Sequence, residues 1–407
     1  MKILVLNSGS SSQKSSVYEI RDRLPDVPSA PLWESRIEWD GDQAQIYIAS
    51  GPGLSGKSTA GGSRKEATEQ LLNHLLNSSS PIFRDKSEVS VVGHRIVNGG
   101  TLYKNPTPVT PEVRSAIERM SIFAPLHNRA ELDGIEIVSK MFGPVSQVAV
   151  FDTGFHANLP EAAAVYPGPY EWLEKGIRRF GFHGINHEYC ARRAAQLLHK
   201  NIESLKIVTC HLGNGCSLAA IRDGRSIDTT MGFTPLEGLM MGTRSGTIDP
   251  GILTYLARQD QLTGGELDDL LNNKSGLLGI SGISGDMRQI VSAMKEGSAR
   301  AKLAFEIFVH RLAAGIASMT AALNGLDVLV FSAGIGENSP EIRAATCAAL
   351  TFLGVTIDPE KNAVSVSEQD ISLPESAVRM FIVRAQEDWA IAAACWRLLS
   401  CVPPGLE

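Results

Sequence analysis

The sequence predicts an α/β protein with an internally duplicated architecture, and two observations carry that prediction. Residues 2–20 read as strand, small-residue turn, strand (KILVLN, SGSSSQ, KSSVYEI), and residues 206–221 repeat the order as KIVTCH, LGNGC and SLAAI. Elsewhere, apolar runs stop abruptly at glycine or polar residues and give way to helical periodicity, the mark of strand–loop–helix units.

The elements follow in chain order. The first hairpin is succeeded by QAQIYIAS, which alternates like a half-buried strand, and by the helical RKEATEQLLNHLLN with Ser63 as its N-cap. SVVGHRIVNGG and SQVAVFDTGFH are apolar strands running into polar loops. After the second hairpin, RDGRS turns the chain into IDTTM. GELDDLLNNKSG and SARAKLAFEIFVHRLAAGIASMTAALNG are helical, the second closed by Gly325. DVLVFSAGIGENSPEIRAATCAAL then reads as strand, glycine turn and helix, with Ser339 as N-cap and Pro340 at the first helical position.

With 407 residues the chain has room for two or three domains, and 43% hydrophobic with 20% charged residues is a globular composition. A net charge of −6 offers no basic footprint for nucleic acid, so small-molecule chemistry is expected. The six cysteines, irregularly spaced and absent from the first 189 residues, suit reduced thiols in the cytoplasm. The N-terminal apolar run is too short for a signal peptide. The most apolar region, LAAGIASMTAALNGLDVLVFSAGIG, is broken by Asn324 and Asp327 into a helix and a strand, so no membrane span is expected.

GPGLSGKST, residues 51–59, fits the G-x-x-x-x-G-K-[ST] phosphate loop. A working loop of that kind feeds its helix directly from the Lys-Ser/Thr, so that amide groups and the helix N-terminus converge on phosphate. Here Ala60-Gly61-Gly62 intervenes and the helix starts too late. The segment is therefore expected to be a flexible Gly/Ser-rich loop, and phosphate handling is expected elsewhere. NSGSSSQK (7–14), HLGNGCS (211–217) and SAGIGENS (332–339) are better candidates, because small residues let successive N–H groups approach an anion. Arg95 and His94, His127, Asp152 and His156, His183 and His187, and Arg244 occupy other strand ends. A histidine taken singly reads as structural, but arginines and imidazoles grouped among glycines suit neutralisation of a transferring phosphoryl group. H-E-x-x-H and G-x-S-x-G motifs are missing, which disfavours zinc and serine-hydrolase chemistry, and GNGCSL and GIGENS both lack the third glycine of the dinucleotide G-x-G-x-x-G.

NSGSSSQK, GHRIVNGG, APLHN, VFDTGFH, RRFGFHGINH, HLGNGCSL, DTTMGFTPLEGLMMGTRSGTIDPG, GISGDMR and FSAGIGEN, in this order, resemble the acetokinases almost end to end. That family comprises the acetate, propionate and butyrate kinases. The resemblance implies a duplicated actin-like, sugar-kinase-like and Hsp70-like (ribonuclease H-like) fold with an interdomain cleft. Its domains would be 1–152, with 388–407 packing back on it, and 153–387. It also implies a homodimer and reversible Mg²⁺-dependent phosphoryl transfer (Mn²⁺ as substitute) between ATP and acetate.

The resemblance also assigns residues. Asn7 and Lys14, with Ser10 and Ser12 beside them, stand at the phosphate and metal end of the first turn, and Glu387 is the magnesium-associated carboxylate. Arg95 and Arg244 bracket the acceptor carboxylate and the transferring group, His183 donates a hydrogen bond to the transition state, and His127 orients the acyl phosphate. Asp152 is the catalytic carboxylate; acetate is already ionised, so Asp152 is expected to position Mg²⁺ or its water rather than take a proton. The nucleotide positions are His211, Leu212, Gly213, Asn214 and Gly215; Asp286, Met287 and Arg288; and Gly334, Ile335, Gly336, Glu337 and Asn338. Val97, Leu126, Phe182 and Pro235 form the acyl pocket, and Val97 favours acetate over propionate. Asn98 stands where His is common, Ile185-Asn186 replace Thr-Ser, and Arg129 replaces Pro. The alternatives are a propionate kinase and a non-catalytic nucleotide-binding member of the same fold.

Overall fold

The computed structural model describes residues 1–9, 12–40, 43–49, 55–77, 82–121, 125–364, 366 and 368–400, with the side chains of 40, 43, 55–61 and 125–128 excepted. The chain divides into two compact units, Met1–Gly154 with Gln386–Glu407, and Phe155–Ala385.

The first unit is built on an eight-stranded sheet. Its elements are β1 (Lys2–Ser8), β2 (Ser12–Glu19), β3 (Trp33–Asp40), β4 (Gln43–Ala49), β5 (Ser55–Gly61), α1 (Arg64–Asn77), β6 (Val89–Ile96), β7 (Thr107–Pro108), α2 (Pro111–Met120), α3 (Pro125–Phe142) and β8 (Ser146–Phe151). The strand order is β5-β4-β3-β2-β1-β6-β8-β7. β1 to β5 form an antiparallel meander, whereas β1, β6 and β8 are parallel. Parallel strands covered on both faces are continuously apolar rather than alternating, and Ile3, Leu4, Val5 and Leu6 are all buried. Leu71, Leu72 and Leu75 of α1 and Ile137 and Val138 of α3 close one core with Leu4, Leu6, Trp33 and Ile37.

The second unit contains α4 (Glu161–Ala164), α5 (Glu171–Glu174), α6 (Gly184–Leu197), β9 (Ile207–Leu212), β10 (Cys216–Arg222), β11 (Arg225–Thr229), α7 (Pro250–Gln259), α8 (Gly264–Asn273), α9 (Gly276–Ser281), α10 (Met287–Lys295), α11 (Ala299–Leu323), β12 (Val328–Ser332), α12 (Ala333–Asn338), α13 (Pro340–Ala348), α14 (Pro359–Val364), β13 (Gln369–Asp370) and β14 (Arg379–Ile382). Its sheet runs β11-β10-β9-β12-β14-β13. The block β11-β10-β9-β12-β14 has the order and directions of β3-β2-β1-β6-β8, an antiparallel meander passing into parallel strands. The repeated hairpin read in the sequence is therefore the start of a repeated sheet. Cys190, Ala191 and Ala194 of α6 pack on Ile207, Ile221, Val328 and Val330.

α11 is long and apolar enough to cross a membrane by length and composition. Its buried residues, Ala301, Ala304, Phe308, Leu312, Ile316 and Leu323, recur at helical spacing. A Cβ on Gly315 would fall 2.8 Å from Leu218 Cδ1 of β10, so this helix covers the sheet closely. Asn324 (φ 53°) and Gly325 (φ 129°) stop it before β12, giving the helix-then-strand division expected from the sequence. The last helix, α15 (Glu387–Ser400), belongs to the first unit. A Cβ on Gly93 of β6 would lie 2.7 Å from both Cys395 Sγ and Ile391 Cγ2, so only glycine lets β6 approach α15 this closely.

The motif at 51–59 is resolved against both readings considered for it. Residues 51–54 lie outside the described residues, but Ser55–Gly61 is strand β5, paired antiparallel with β4, with Gly56 opposite Ile48 and Lys57 opposite Tyr47. It is neither a flexible loop nor a strand-to-helix phosphate cradle. α1 begins at Arg64, capped by Ser63, whose N–H donates to Glu66 Oε2 (2.6 Å) while Glu66 N–H donates to Ser63 Oγ (3.3 Å).

Candidate active site

In the first unit the functional side chains collect where β1, β6 and β8 end. Arg95 lies on β6 and pairs in register with Val150 of β8, which carries Asp152 just past its end. Arg95 Nη2 donates to Asp152 Oδ2 at 2.8 Å and Nη1 donates to Ser8 O at 3.3 Å. Asp152 is fully buried and its backbone N–H donates to Ile96 O. Burial alone would lower the Arg95 pKa, but Asp152 and Glu387 outweigh it, so the guanidinium is held charged.

A second carboxylate group sits at the start of α15. Asn7 Nδ2 donates to Glu387 Oε2 (3.1 Å) and to Asp388 Oδ1 (2.8 Å), and Ser16 Oγ donates to Asp388 Oδ2 (2.9 Å). Lys14, exposed and opposite Asn7 in the β1–β2 register, acts on Asp388 electrostatically. Burial nevertheless raises the Asp388 pKa. Ser12 opens β2; Ser10 and the side chains of Leu126 and His127 lie outside the described residues, the last two on the first turn of α3. Val97 is buried and its N–H donates to Glu131 Oε1 at 3.0 Å. Asn98, at a position where the resemblance expects His, makes an Asx turn, its Oδ1 accepting from Gly100 N–H at 2.8 Å.

Glu131 was not singled out by the sequence. It is buried, Oε2 has no hydrogen-bond partner among the described residues, and burial pushes its pKa to about 8 against the pull of Arg95. Its surroundings in the chain, RAELDG, look like an ordinary solvated helix face, so no local signal marks it. Asp388 was likewise missed, although its neighbour Glu387 was found.

In the second unit His183 takes a left-handed conformation (φ 57°) at the N-cap of α6, which turns its ring toward the β9–β10 hairpin. The ring stacks on His211, with centroids 3.9 Å apart and planes 13° apart. His183 Nδ1 and His187 Nε2 each lie 2.8 Å from Ser217 Oγ, and His187 Nδ1 lies 2.7 Å from Thr209 Oγ1. Asn186 Nδ2 donates to His211 Nδ1 (2.9 Å) and to Ser332 Oγ (3.2 Å), which gives this departure from the family pattern a bracing role between β9 and β12. A Cβ on Gly215 would lie 3.3 Å from His183 Nε2 and 3.4 Å from Arg244 Nη1, so His183 and Arg244 flank that glycine together. Arg244 Nη1 donates to Pro235 O at 3.0 Å, and burial lowers the Arg244 pKa. Phe182 is buried beside His183, its carbonyl held by His156 Nε2 at 3.1 Å.

The glycine segments are also drawn together. Gly213 N–H bonds to Gly215 O, and Gly242 N–H to Asn214 O. A Cβ on Gly242 would fall 2.2 Å from Asn214 Oδ1 and 3.1 Å from Gly285 O, one residue before Asp286. Leu212 is buried at the end of β9, Met287 is buried within α10, and Arg288 is exposed, donating to Asp286 from Nε and Nη2. The third segment differs from expectation: AGIGEN is the short helix α12, entered through Ala333 at φ 63°, rather than a turn. Buried Arg343 holds its end by donating to Gly336 O (2.8 Å) and Glu337 O (2.9 Å). Glu337 Oε1 accepts from Ala385 N–H, Asn338 Nδ2 donates to Gly334 O, Ile335 is half-buried, and nothing lies within 4 Å of the Cβ position on Gly334.

Two sheets of one strand order, each an antiparallel meander passing into parallel strands, make this the duplicated actin-like ATPase fold, and the chain is a phosphotransferase of that fold. The sequence model of the Acetokinase family matches residues 2–393, and the chain belongs to that family. Among relatives, the acetate kinase of Gloeobacter violaceus is 54% identical over 403 residues, covering 98% of this chain and all of the relative. That of Trichormus variabilis is 54% identical over 406 residues, with 98% and 100% covered. The crystal structure of Porphyromonas gingivalis acetate kinase superposes with a TM-score of 0.90 at 37% identity, covering 98% and 99% of the two chains. A propionate kinase from Francisella tularensis gives a TM-score of 0.88 at 37% identity, covering 97% and 98%.

Proposed function

We propose that this chain catalyses reversible transfer of the γ-phosphoryl group of ATP to acetate, giving acetyl phosphate and ADP. The observation that supports it most is the buried Arg95–Asp152 pair beside Glu387, in a chain 54% identical to acetate kinases end to end. Acetate arrives as an anion and must meet an anionic phosphate, so the barrier is repulsion rather than weak nucleophilicity. Arg95 is kept charged by Asp152 and offers its guanidinium to the carboxylate. Arg244 and the His183 ring offset charge on the transferring group. The segments 211–215, 286–288 and 334–338 hold the nucleotide, and His127 orients the acyl phosphate.

The reading includes Mg²⁺. Glu387 is a half-buried carboxylate fixed by Asn7 and close enough to Arg95 to raise its pKa, and one or two carboxylates with phosphate oxygens and water are what Mg²⁺ takes. Among the described residues no group of three or more His, Cys, Asp or Glu is placed to hold a metal ion. Mg²⁺ when bound would neutralise phosphate charge; Asn7 and Asp152 then orient Glu387 and Arg95 rather than abstract a proton. Two folding domains divided near 152 and 387, a homodimer and a cytoplasmic setting complete the proposal.

The likeness to a propionate kinase keeps propionate as the second reading, with Val97 deciding between them. A hydroxylamine-trap assay with Mg-ATP and acetate, propionate or butyrate tests both, alongside Arg244→Ala. Hydroxamate forming fastest from acetate and lost in the variant supports the proposal. Nucleotide binding with no hydroxamate from any acid would instead indicate a non-catalytic binding protein.

A further inference from the structure

We propose that Thr209, His187 and Ser217 form a one-way hydrogen-bond relay that fixes His183 as the neutral Nε2–H tautomer, making these three positioning residues for the phosphoryl-transfer donor. The inference rests on the reading of His183 as that donor.

The geometry is a continuous chain. Thr209 Oγ1 is 2.7 Å from His187 Nδ1, His187 Nε2 is 2.8 Å from Ser217 Oγ, and Ser217 Oγ is 2.8 Å from His183 Nδ1. Thr209, His187 and Ser217 are all buried, so no bulk water competes for these bonds. A hydroxyl has one proton and two lone pairs, and a neutral imidazole has one N–H and one bare nitrogen, so the three bonds can form in three senses. The sense in which Ser217 accepts from both rings leaves its buried proton without an acceptor among the described residues, so two remain. In the first, Thr209 donates to His187, His187 donates through Nε2 to Ser217, and Ser217 donates to His183 Nδ1. His183 then carries its proton on Nε2, the nitrogen beside Gly215 and Arg244. In the reversed sense a neutral His183 would carry its proton on Nδ1 and turn a bare lone pair toward that same place. A lone pair there repels phosphate oxygens.

The reversed sense could supply a donor only if His183 were an imidazolium. The Arg244 guanidinium opposes that, since it lies within 3.4 Å of the same Cβ position as His183 Nε2. His187, in the middle, is kept neutral by burial and by His156 and His211, as a relay member must be. Serine at 217 and threonine at 209 therefore set the position of one proton on a residue one and three links away.

Long-range ¹H–¹⁵N correlation spectra of histidine-labelled protein report the tautomer of His183 directly, whatever the activity. The expected result is a protonated Nε2 in the wild type and a mixture of tautomers in Ser217→Ala, with kcat about tenfold lower and KM for acetate unchanged, the scale of one lost directed hydrogen bond. Ser217→Thr should restore both readouts. Thr209→Val, which removes the terminal donor without touching His183 or Ser217, should give a mixture as well. A wild-type His183 protonated on Nδ1, or an unmixed Nε2–H signal in both Ser217→Ala and Thr209→Val, overturns the relay. The donor role fails separately: if His183→Ala retains phosphoryl transfer while Ser217→Ala still mixes the wild-type tautomer, the relay stands and the catalytic reading of His183 falls.

Discussion

Arg95 and Asp152 form an ion pair at 2.8 Å in which the carboxylate is fully buried and the guanidinium nearly so, each at the end of a parallel strand. Neither charge can be removed without stranding the other in a low-dielectric site. Asp152→Ala should lower stability by about 3–5 kcal/mol and abolish activity, read by denaturant unfolding and the hydroxamate assay. Asp152→Asn keeps the shape and one hydrogen-bond acceptor. It should fold with a smaller penalty yet lose most of its kcat, because Arg95 is no longer neutralised and oriented. Full activity in Asp152→Asn would mean that the pair serves stability alone.

Glu131 supplies a pH signature. Its folded pKa is about 8 against 4.5 for the free side chain, so the folded state holds a proton that the unfolded state releases. A raised pKa contributes stability that is complete below the unfolded value and is lost as pH rises toward the folded one. The wild type should therefore lose about 1–3 kcal/mol from this group between pH 5 and 8. Glu131→Gln, which mimics the protonated form, should flatten that slope; an unchanged pH–stability curve would show Glu131 to be ionised in the folded protein.

Val97 is buried and its N–H donates to Glu131, which holds its backbone in place; in the reading proposed above, its side chain borders the acyl group. Val97→Ala should raise activity on propionate relative to acetate. A methylene is worth about 1–3 kcal/mol in such a pocket, so the ratio should move by roughly tenfold or more. An unchanged ratio of kcat/KM would remove Val97 from the acyl pocket.

Lys57 sits opposite Tyr47 in an antiparallel strand and should be irrelevant to nucleotide. Lys57→Ala is expected to bind ADP as the wild type does in calorimetry, while Arg244→Ala binds nucleotide, folds normally and does not transfer the phosphoryl group. Loss of ADP binding in Lys57→Ala would restore the phosphate-loop reading.

The fold was legible where sequence pattern and burial coincide. KILVLN and KIVTCH announced buried strands, and Ser63, Ser339 and Pro340 marked helix starts the structure keeps. At β5 composition misled, since glycine and serine favour loops, yet pairing with β4 orders them as a strand. Of the residues expected at strand ends, Arg95 on β6 and Asp152 just past β8 hold those positions, whereas His183 caps α6, His187 lies within it, His127 falls on α3 and Arg244 lies between β11 and α7. Glu131, Ser217 and Thr209 were not legible, since their importance comes from burial and from partners distant in the chain, and neither property is written in the residues around them.

The helix Glu387–Ser400 belongs to the first unit, and its opening carboxylates are grasped by Asn7 and Ser16. During synthesis on a ribosome, the strands made first must wait for almost the whole chain before Ile391 and Cys395 can cover Gly93. The second unit, contiguous from 155 to 385, is under no such delay. Maturation of the first-made sheet is thereby tied to synthesis of residues 387–400, so chains released before residue 387 carry a sheet that lacks its cover and an Asn7 that meets neither carboxylate.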